Sequence, residues 1–341
     1  MFSRGVRLLA CAVAAAVALS VVPVSAVTNK SRARTAAGYI ARQQKDNGSI
    51  VSFSVYGSTA DAIVALVAAR RGQRNIDRAL NFMARRVRSG RVFKDPDVGV
   101  LGKIVMAVEA GGRNARNFGG RNLVRRIANL ERPSGRLGRG TEVYSQGLLI
   151  LGLRAAGKRV PRKVSRWLAK AQCDNGGWAF DKPADTKDDD ETCRDTTDPK
   201  NDFAISDSNT TAVAIMALEG VRKINTRRVK AFDFLATLRD SDRGWGYTTE
   251  FPDTDANSTS LVIQAYLAAG RQIPSGAMAA LRKLQVKLCG PIAGAFRFQS
   301  GGGNPPDLGA TIAATPALMK KPLPLESFTV TKPVPARQPC R

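Results

Sequence analysis

Two kinds of helical segment alternate along this chain. One kind carries apolar residues on nearly all faces, is rich in Ala, and opens with small polar or acidic residues. Such residues accept hydrogen bonds from the first N–H groups of a helix. The other kind mixes apolar residues with Arg and Lys at helical spacing, as expected for a helix with one face in water. The pattern therefore predicts buried helices that alternate with half-exposed helices.

Six copies of this pair of segments follow one another. The buried segments are 58–69, 98–108, 144–153, 209–218, 257–269 and 307–317, and the half-exposed segments are 34–44, 76–87, 123–130, 164–172, 229–238 and 277–288. With no convincing stretch of alternating polarity, six hairpins predict an all-α fold, an α6/α6 toroid of six inner helices surrounded by six outer helices. An open solenoid of helix hairpins is the alternative. Each of the first five buried segments closes on a glycine suited to the left-handed position after a helix: Gly72, Gly111, Gly157, Gly220 and Gly270.

The first 26 residues are predicted to direct export and to lie outside the fold. Arg4 and Arg7 precede an apolar run over 8–22, and small residues follow Pro23, which is typical of a secretory signal peptide cleaved near Ala26. The run is short for a membrane span, and an uncleaved anchor is the alternative. We expect a secreted, extracellular protein with a toroid domain over 27–320 and a Pro-rich tail over 321–341.

Cysteine usage agrees with export. Cys11 leaves with the signal peptide, so four cysteines remain, an even number that predicts two disulfides in an oxidising compartment. We favour Cys173–Cys193 and Cys289–Cys340, because each pair closes a local loop, although two other pairings are possible.

One short motif resembles a known family. Residues 172–178 read Q-C-D-N-G-G-W, which resembles the Q-x-x-x-G-x-W repeat of squalene and terpene cyclases and of protein prenyltransferase β-subunits. Weaker copies lie at 44–50, 131–137 and 243–247. The stretch 252–270 also resembles secreted bacterial repeat proteins and the α-domain of the vitamin-B12 carriers, transcobalamin and intrinsic factor. The resemblance implies the toroid fold over about 33–319, but this fold hosts cyclases, transferases, glycosidases and carriers.

The resemblance to cyclases raises one catalytic hypothesis. Those enzymes imply a D-x-D-D motif whose middle Asp donates the proton, and residues 253–256 read D-T-D-A just before a buried segment. Asp253 and Asp255 are therefore the catalytic candidates, with Asp255 as general acid. Ala256 replaces the last Asp, and both carboxylates also suit a capping role at a helix start. We lean towards a protein that is not an enzyme, with a squalene or terpene cyclase-like isomerase, or a prenyltransferase-like enzyme, as the alternative.

The absence of histidine removes other kinds of chemistry. Without it the chain cannot build a Ser-His-Asp or Cys-His site, nor the His-containing zinc site that prenyl transfer implies. Aromatic residues make up only 6%, which is few for a pocket that stabilises carbocations.

The second hypothesis is a binding protein. The inner helices of a toroid begin at one end, which we call the mouth, and there hydroxyl, amide and aromatic side chains would suit a polar small molecule or a glycan. We predict such a non-catalytic binding protein of the cell exterior, with no cofactor, although Trp178 is equally suited to plugging a gap between helices. The predicted ligand-binding residues are Trp178, Phe180, Asn209, Thr210, Trp245, Tyr247, Asn257, Ser258 and Thr259.

Charge suggests further partners. The chain has 53 Lys and Arg against 28 Asp and Glu, a formal net charge of +25, which attracts anionic envelope polymers or lipid headgroups. A basic, envelope-associated structural protein is therefore a third hypothesis, and no motif indicates a specific nucleic acid. The insertion over 181–207 is acidic instead and predicts either a flap over the basic body or a Ca²⁺ site. The candidate calcium ligands are Asp188, Asp189, Asp190 and Glu191.

Overall fold

Six inner helices form a closed ring in the computed structural model, which describes residues 27–140, 142–181, 205–221, 225–286, 289–300, 303–327, 330 and 332–335. Each inner helix packs on the next one in the chain, and the last packs back on the first. The predicted toroid is thereby confirmed, and the open solenoid is excluded. The inner helices are α2 (Val55–Ala69), α4 (Gly99–Ala110), α6 (Val143–Ala155), α8 (Ser208–Ala217), α10 (Ala256–Ala268) and α12 (Leu308–Leu318).

Side-chain caps fix the starts of four inner helices, α2, α8, α10 and α12, whereas the N-cap residues of α4 and α6 form no such bond. Ser54 accepts a hydrogen bond from the N–H of Gly57 at the start of α2. Asp207, Asp255 and Asp307 each accept one from the N–H three residues later, at the starts of α8, α10 and α12. These caps satisfy donors that have no partner within the helix.

Six outer helices surround this ring. They present one apolar face inward; in α3 that face includes Ile76, Leu80 and Met83, all fully buried. Helix α1 packs on both α12 and α2 and so covers the seam where the ring closes. The outer helices are α1 (Asn29–Arg42), α3 (Gln73–Arg88), α5 (Leu123–Ala128), α7 (Arg162–Lys170), α9 (Asn225–Thr237) and α11 (Ala277–Lys283).

The Q-x-x-x-G-x-W motif joins the two layers. The Gln172 side chain donates to the carbonyls of Gly176 and Arg227, at 2.8 and 2.7 Å. Gly176 has a φ of +91°, and a Cβ there would lie 2.4 Å from the carbonyl oxygen of Lys230. The Trp178 indole N–H donates to the Leu168 carbonyl at 2.8 Å in the interior. The motif therefore stabilises the turn after α7 and ties it to α9, the outer helix of the next repeat.

Two short hairpins lie beside the mouth, where no strand was predicted. Strand β1 (Trp178–Ala179) pairs with β2 (Ser206–Asp207), and β3 (Phe296–Arg297) pairs with β4 (Pro306–Asp307), both antiparallel. The first pair joins the two ends of the acidic insertion. Most of that insertion, including the calcium candidates Asp188, Asp189, Asp190 and Glu191, lies outside the described residues.

Two of the predicted glycine ends are wrong. Arg70, not Gly72, takes the left-handed position after α2, with a φ of +53°, and Gly72 instead precedes α3. After α4 it is Gly112 that has a positive φ of +75°, while Gly111 has a φ of −79°. The left-handed residue therefore lies two positions before the predicted glycine after α2 and one position after it after α4.

The tail returns to the body of the toroid. The N–H of Gly72 donates to the Lys332 carbonyl at 3.0 Å, and Leu325 and Val330 are buried. Cys173 and Cys289 are each disulfide-bonded, but Cys193 and Cys340 lie outside the described residues, so the pairing stays a prediction. Among the helices described, none has the length and apolar character needed to cross a bilayer.

Candidate functional site

A cavity of about 230 Å³ lies at the centre of the ring. Every inner helix contributes to its wall, so the cavity follows directly from ring closure. Its polar lining comes from Ser58, Asp61, Lys103, Tyr144, Asn209, Asn257 and Gln264.

Unpaired amide oxygens mark one side of this cavity. Asn209 and Asn257 are each the second residue of their inner helix, α8 and α10, and both line the cavity together with Gln264 of α10. Their side-chain oxygens are buried and have no hydrogen-bond partner among the described residues. Leaving a buried acceptor unpaired costs roughly 1–3 kcal/mol, and the described residues supply no donor to these three oxygens.

Two buried carboxyl groups lie beside those amides. Asp207 and Asp255 are 0 and 1% exposed, and each accepts one backbone N–H at 2.7 Å. Burial raises the pKa of Asp207 to about 7 and that of Asp255 to about 6, against the opposing effect of those hydrogen bonds. The second oxygen of Asp207 is buried without a partner. Near neutral pH both groups can hold a proton and donate it in a hydrogen bond.

Asp207 was missed as a site residue in the sequence, where it closes the acidic insertion. A signal was nevertheless present: residues 207–211 read D-S-N-T-T and residues 255–259 read D-A-N-S-T. Aligning these two helix starts makes Asp207 the counterpart of Asp255.

An ion pair lies on the other side of the cavity. Lys103 of α4 and Asp61 of α2 are 2.7 Å apart. Burial lowers the pKa of the Lys103 ammonium, but Asp61 and Tyr144 outweigh it and the pKa is raised, so Lys103 stays charged. Burial also raises the pKa of Tyr144, which keeps its hydroxyl protonated. Sequence analysis missed this pair because the two residues lie 42 positions apart on different helices.

Aromatic residues recur around the mouth. Phe180, Tyr247 and Phe298 each lie two residues after the Trp position of their repeat, and their carbonyls accept the N–H of residues 143, 208 and 256 at 2.7, 2.9 and 2.8 Å. The Phe180 ring stacks on Tyr144 with centroids 5.9 Å apart. Burial, with Asp207, raises the pKa of Tyr247, which places this phenol beside the buried carboxyls. Phe53 lines the cavity and is 79% exposed.

Several predicted residues lie elsewhere. Trp178 and Trp245 are fully buried, donate to main-chain carbonyls, and do not line the cavity, because they fill the space between the two helix layers. The Thr259 hydroxyl bonds the main chain of Trp245 and is also structural. Asp253 is exposed to solvent, whereas Asp255 is buried.

Thr210 and Ser258 are buried next to the cavity. Their N–H groups donate to the carboxyls of Asp207 and Asp255, while their own hydroxyl oxygens have no partner among the described residues. The described residues also contain no group of three or more Cys, Asp or Glu side chains suited to a metal ion.

Comparison with known proteins identifies the fold of this chain but not its activity. No protein-family model matches the sequence, and no curated protein does. Among solved structures, a protein from Actinoplanes is 15% identical, with a TM-score of 0.57 over 86% of this chain and 99% of the other. A variant of the type II terpene cyclase MstE from Scytonema, bound to geranylgeranyl dihydroxybenzoate, is 11% identical, with a TM-score of 0.58 over 86% and 97%.

A third structure comes from a different class of enzyme. An inactive α-1,6-mannanase variant from Salegentibacter, in complex with α-1,6-mannotriose, is 11% identical, with a TM-score of 0.55 over 86% of this chain and 98% of the other. Identity this low transfers no activity. The chain is therefore an all-α toroid that shares its fold with type II terpene cyclases and with this mannanase.

Proposed function

We propose that this protein binds a small polar ligand, a sugar or short glycan, in the central cavity behind the mouth, and that it does so outside the cell without catalysis. The observation that carries the proposal is the row of buried, unpaired oxygens on Asn209, Asn257 and Gln264. Three acceptors without donors, facing one cavity, fit a ligand that brings several hydroxyl donors.

Size and surroundings support a sugar. Drug-sized ligands occupy roughly 300–1,000 Å³. A cavity of about 230 Å³ is therefore suited to a compact ligand such as one sugar ring. The Lys103–Asp61 pair and the hydroxyl of Tyr144 offer both donors and acceptors in the lining, and exposed Phe53 offers an apolar face at the opening. Among the proteins with this fold, the mannanase holds a mannotriose.

Native mass spectrometry tests the proposal. Protein purified without denaturation should carry a discrete non-covalent adduct in the mass range of a sugar or short oligosaccharide, lost on denaturation. Mannose, a single sugar ring that matches the size of the cavity, is the first probe for titration of any apo protein, and α-1,6-mannotriose is the second. If the protein carries no adduct and binds none of a panel of mono- and trisaccharides, sugar binding is refuted.

A pair of substitutions assigns the binding to the cavity. In Asn209→Ala/Asn257→Ala the adduct should disappear, while the melting temperature of the apo protein stays level or rises, because two unpaired oxygens are removed. Asn122→Ala is the matched control: Asn122 caps α5 through the N–H of Arg125. That variant should lose about 1 kcal/mol of stability and keep the adduct.

The raised pKa values of Asp207 and Asp255 favour acid catalysis as a second candidate function. A carboxyl whose pKa is raised to about 6 keeps its proton in part of the molecules near neutral pH and can act as a general acid, the role expected of Asp255 by resemblance to cyclases. Turnover of a polyprenyl substrate, or of a glycoside, that Asp255→Asn abolishes without loss of binding would establish an enzyme. Tight binding without any product would support binding as the function and count against catalysis.

A further inference from the structure

The central cavity changes character with depth. All six inner helices begin at the mouth, so the distance of a residue from the start of its helix measures its depth in the ring. Asn209 and Asn257 lie one residue after the starts of α8 and α10. Four other lining residues lie seven to nine residues after the starts of their helices, and we call them the floor: Val64, Met106, Gln264 and Pro316. At about 1.5 Å per residue, the two levels are roughly 10 Å apart.

Three of the four floor residues are apolar. Val64 of α2, Met106 of α4 and Pro316 of α12 come from consecutive helices of the ring. Leu323, in the segment after α12, also lines the cavity. The fourth floor residue is Gln264 of α10, which is 2% exposed. A ligand that extends to this level therefore meets mainly apolar surface and one amide.

The orientation of the Gln264 amide is fixed by a hydrogen bond. Its Nε2 donates to the Ser260 carbonyl at 3.2 Å, one turn earlier in α10, and Oε1 is therefore the atom that remains. That oxygen is buried and has no hydrogen-bond partner among the described residues. An acceptor with apolar neighbours in the lining favours a ligand group that carries one donor beside apolar surface.

Helix register connects this acceptor to the mouth. Asn257, Leu261 and Gln264 follow one another at spacings of four and three residues, which places them on one face of α10, and all three line the cavity. The separation between the mouth and the floor exceeds the width of a bare sugar ring. It matches a sugar ring that carries one short substituent.

We propose that the central cavity binds an N-acetylated amino sugar, with its acetamido group on the floor. This inference rests on the proposed sugar-binding function and names the class of sugar. The amide N–H donates to Oε1 of Gln264, and the acetyl methyl group packs against the other three floor residues. The Lys103 ammonium, one turn above Met106 on α4, donates to the acetyl carbonyl. Ring hydroxyls then donate to the unpaired oxygens of Asn209 and Asn257 at the mouth.

Titration of the purified full chain with matched sugars tests the proposal. N-acetylmannosamine and N-acetylglucosamine are compared with their parent sugars, mannose and glucose. The better acetamido sugar should bind about tenfold or more tightly than its parent, because it adds one hydrogen bond and one buried methyl group. 6-Deoxymannose adds a methyl group without an N–H donor, so its gain over mannose should be smaller.

Two variants assign this preference to the floor. Gln264→Leu removes the acceptor and keeps an apolar side chain of similar size. It should weaken binding of the acetamido sugar by about tenfold and bring the ratio of the two affinities close to one. The matched control Ser260→Ala removes another buried, unpaired oxygen of α10, which does not line the cavity. That variant should change the ratio by no more than about twofold.

The outcomes separate this inference from the proposed function. If the parent sugars bind as tightly as the acetamido sugars, the acetamido assignment is overturned and sugar binding stands. An equal gain for 6-deoxymannose, or an equal loss of preference in Gln264→Leu and Ser260→Ala, also overturns the assignment. If no sugar binds, both proposals fail. The sugar series on the wild-type chain decides the matter even if Gln264→Leu does not fold.

Discussion

At the mouth, carboxyl and amide groups lie buried at helix N-termini. At the far end of α2 and α12, Lys and Arg side chains line a pocket of about 710 Å³, which we call the cationic pocket: Lys30, Arg34, Arg70, Arg71, Lys320, Lys321 and Lys332. The helix dipole accounts for the sign of charge at each end, negative near N-termini and positive near C-termini. It does not account for unpaired buried oxygens at one end, nor for left-handed Arg70 and Lys320 at the other. Each end therefore gives up stability locally, as functional sites often do.

The largest expected effect is at the mouth. Asp207→Asn should stabilise the protein by about 4 kcal/mol at pH 8, since one pKa unit corresponds to about 1.4 kcal/mol and burial raises the pKa from 3.8 to about 7. The folded pKa exceeds the unfolded one, so the penalty is complete above pH 7 and fades as the pH falls towards 4. Urea denaturation at pH 8, 6 and 4 measures this trend.

A matched variant separates burial from capping. Asp307 accepts the N–H of Ala310 at the start of α12, as Asp207 does for α8, but it is partly exposed. Asp307→Asn should therefore change the free energy of unfolding by no more than a few tenths of a kcal/mol, because Asn caps a helix about as well as Asp. If the gain in the free energy of unfolding of Asp207→Asn persists at pH 4, burial of a charged carboxylate is not the cause of that gain.

An intermediate effect is expected inside the cavity. Lys103→Met leaves the Asp61 carboxylate without its partner at 2.7 Å and should cost about 2 kcal/mol. The double variant Asp61→Asn/Lys103→Met should recover most of that loss. Thermal denaturation of the wild type, the two single variants and the double variant gives the coupling energy between Asp61 and Lys103. If the effects of the two single substitutions simply add, the two residues do not form a specific pair.

The smallest expected effect lies in the cationic pocket. Lys320→Gly relieves a φ of +53° and one repulsive charge, so it should raise the free energy of unfolding by about 1 kcal/mol. A loss of stability would mean that the Lys320 side chain packs usefully and that the comparison between the two ends fails there.

The helices were predictable because their signals are local. Caps such as Asp255, apolar inner segments and one full Q-x-x-x-G-x-W motif lie within a few residues of the elements they define. The ends after α2 and α4 were wrong by one or two residues, because packing between layers decides where a helix stops.

The candidate site was only partly predictable because ring closure assembles it. Asn209 and Asn257 were found from helix starts, but Lys103 and Asp61 meet across two helices and leave no local pattern. Trp178 was assigned to the ligand because aromatic rings suit sugars. It is a core residue, since its indole N–H is satisfied by the Leu168 carbonyl within the hairpin. Whether a side chain faces the centre of the ring or the space between the two helix layers separates these outcomes.

The contact between α12 and α2 also bears on how the molecule unfolds. In an open array of hairpins the terminal units have one neighbour and fray first, so unfolding proceeds in stages from the ends. A ring has no terminal unit: every inner helix keeps two flanking interfaces until one seam opens. Cooperativity should therefore be high, and substitutions at the α12–α2 seam should turn a single sharp transition into a broad, stepwise one.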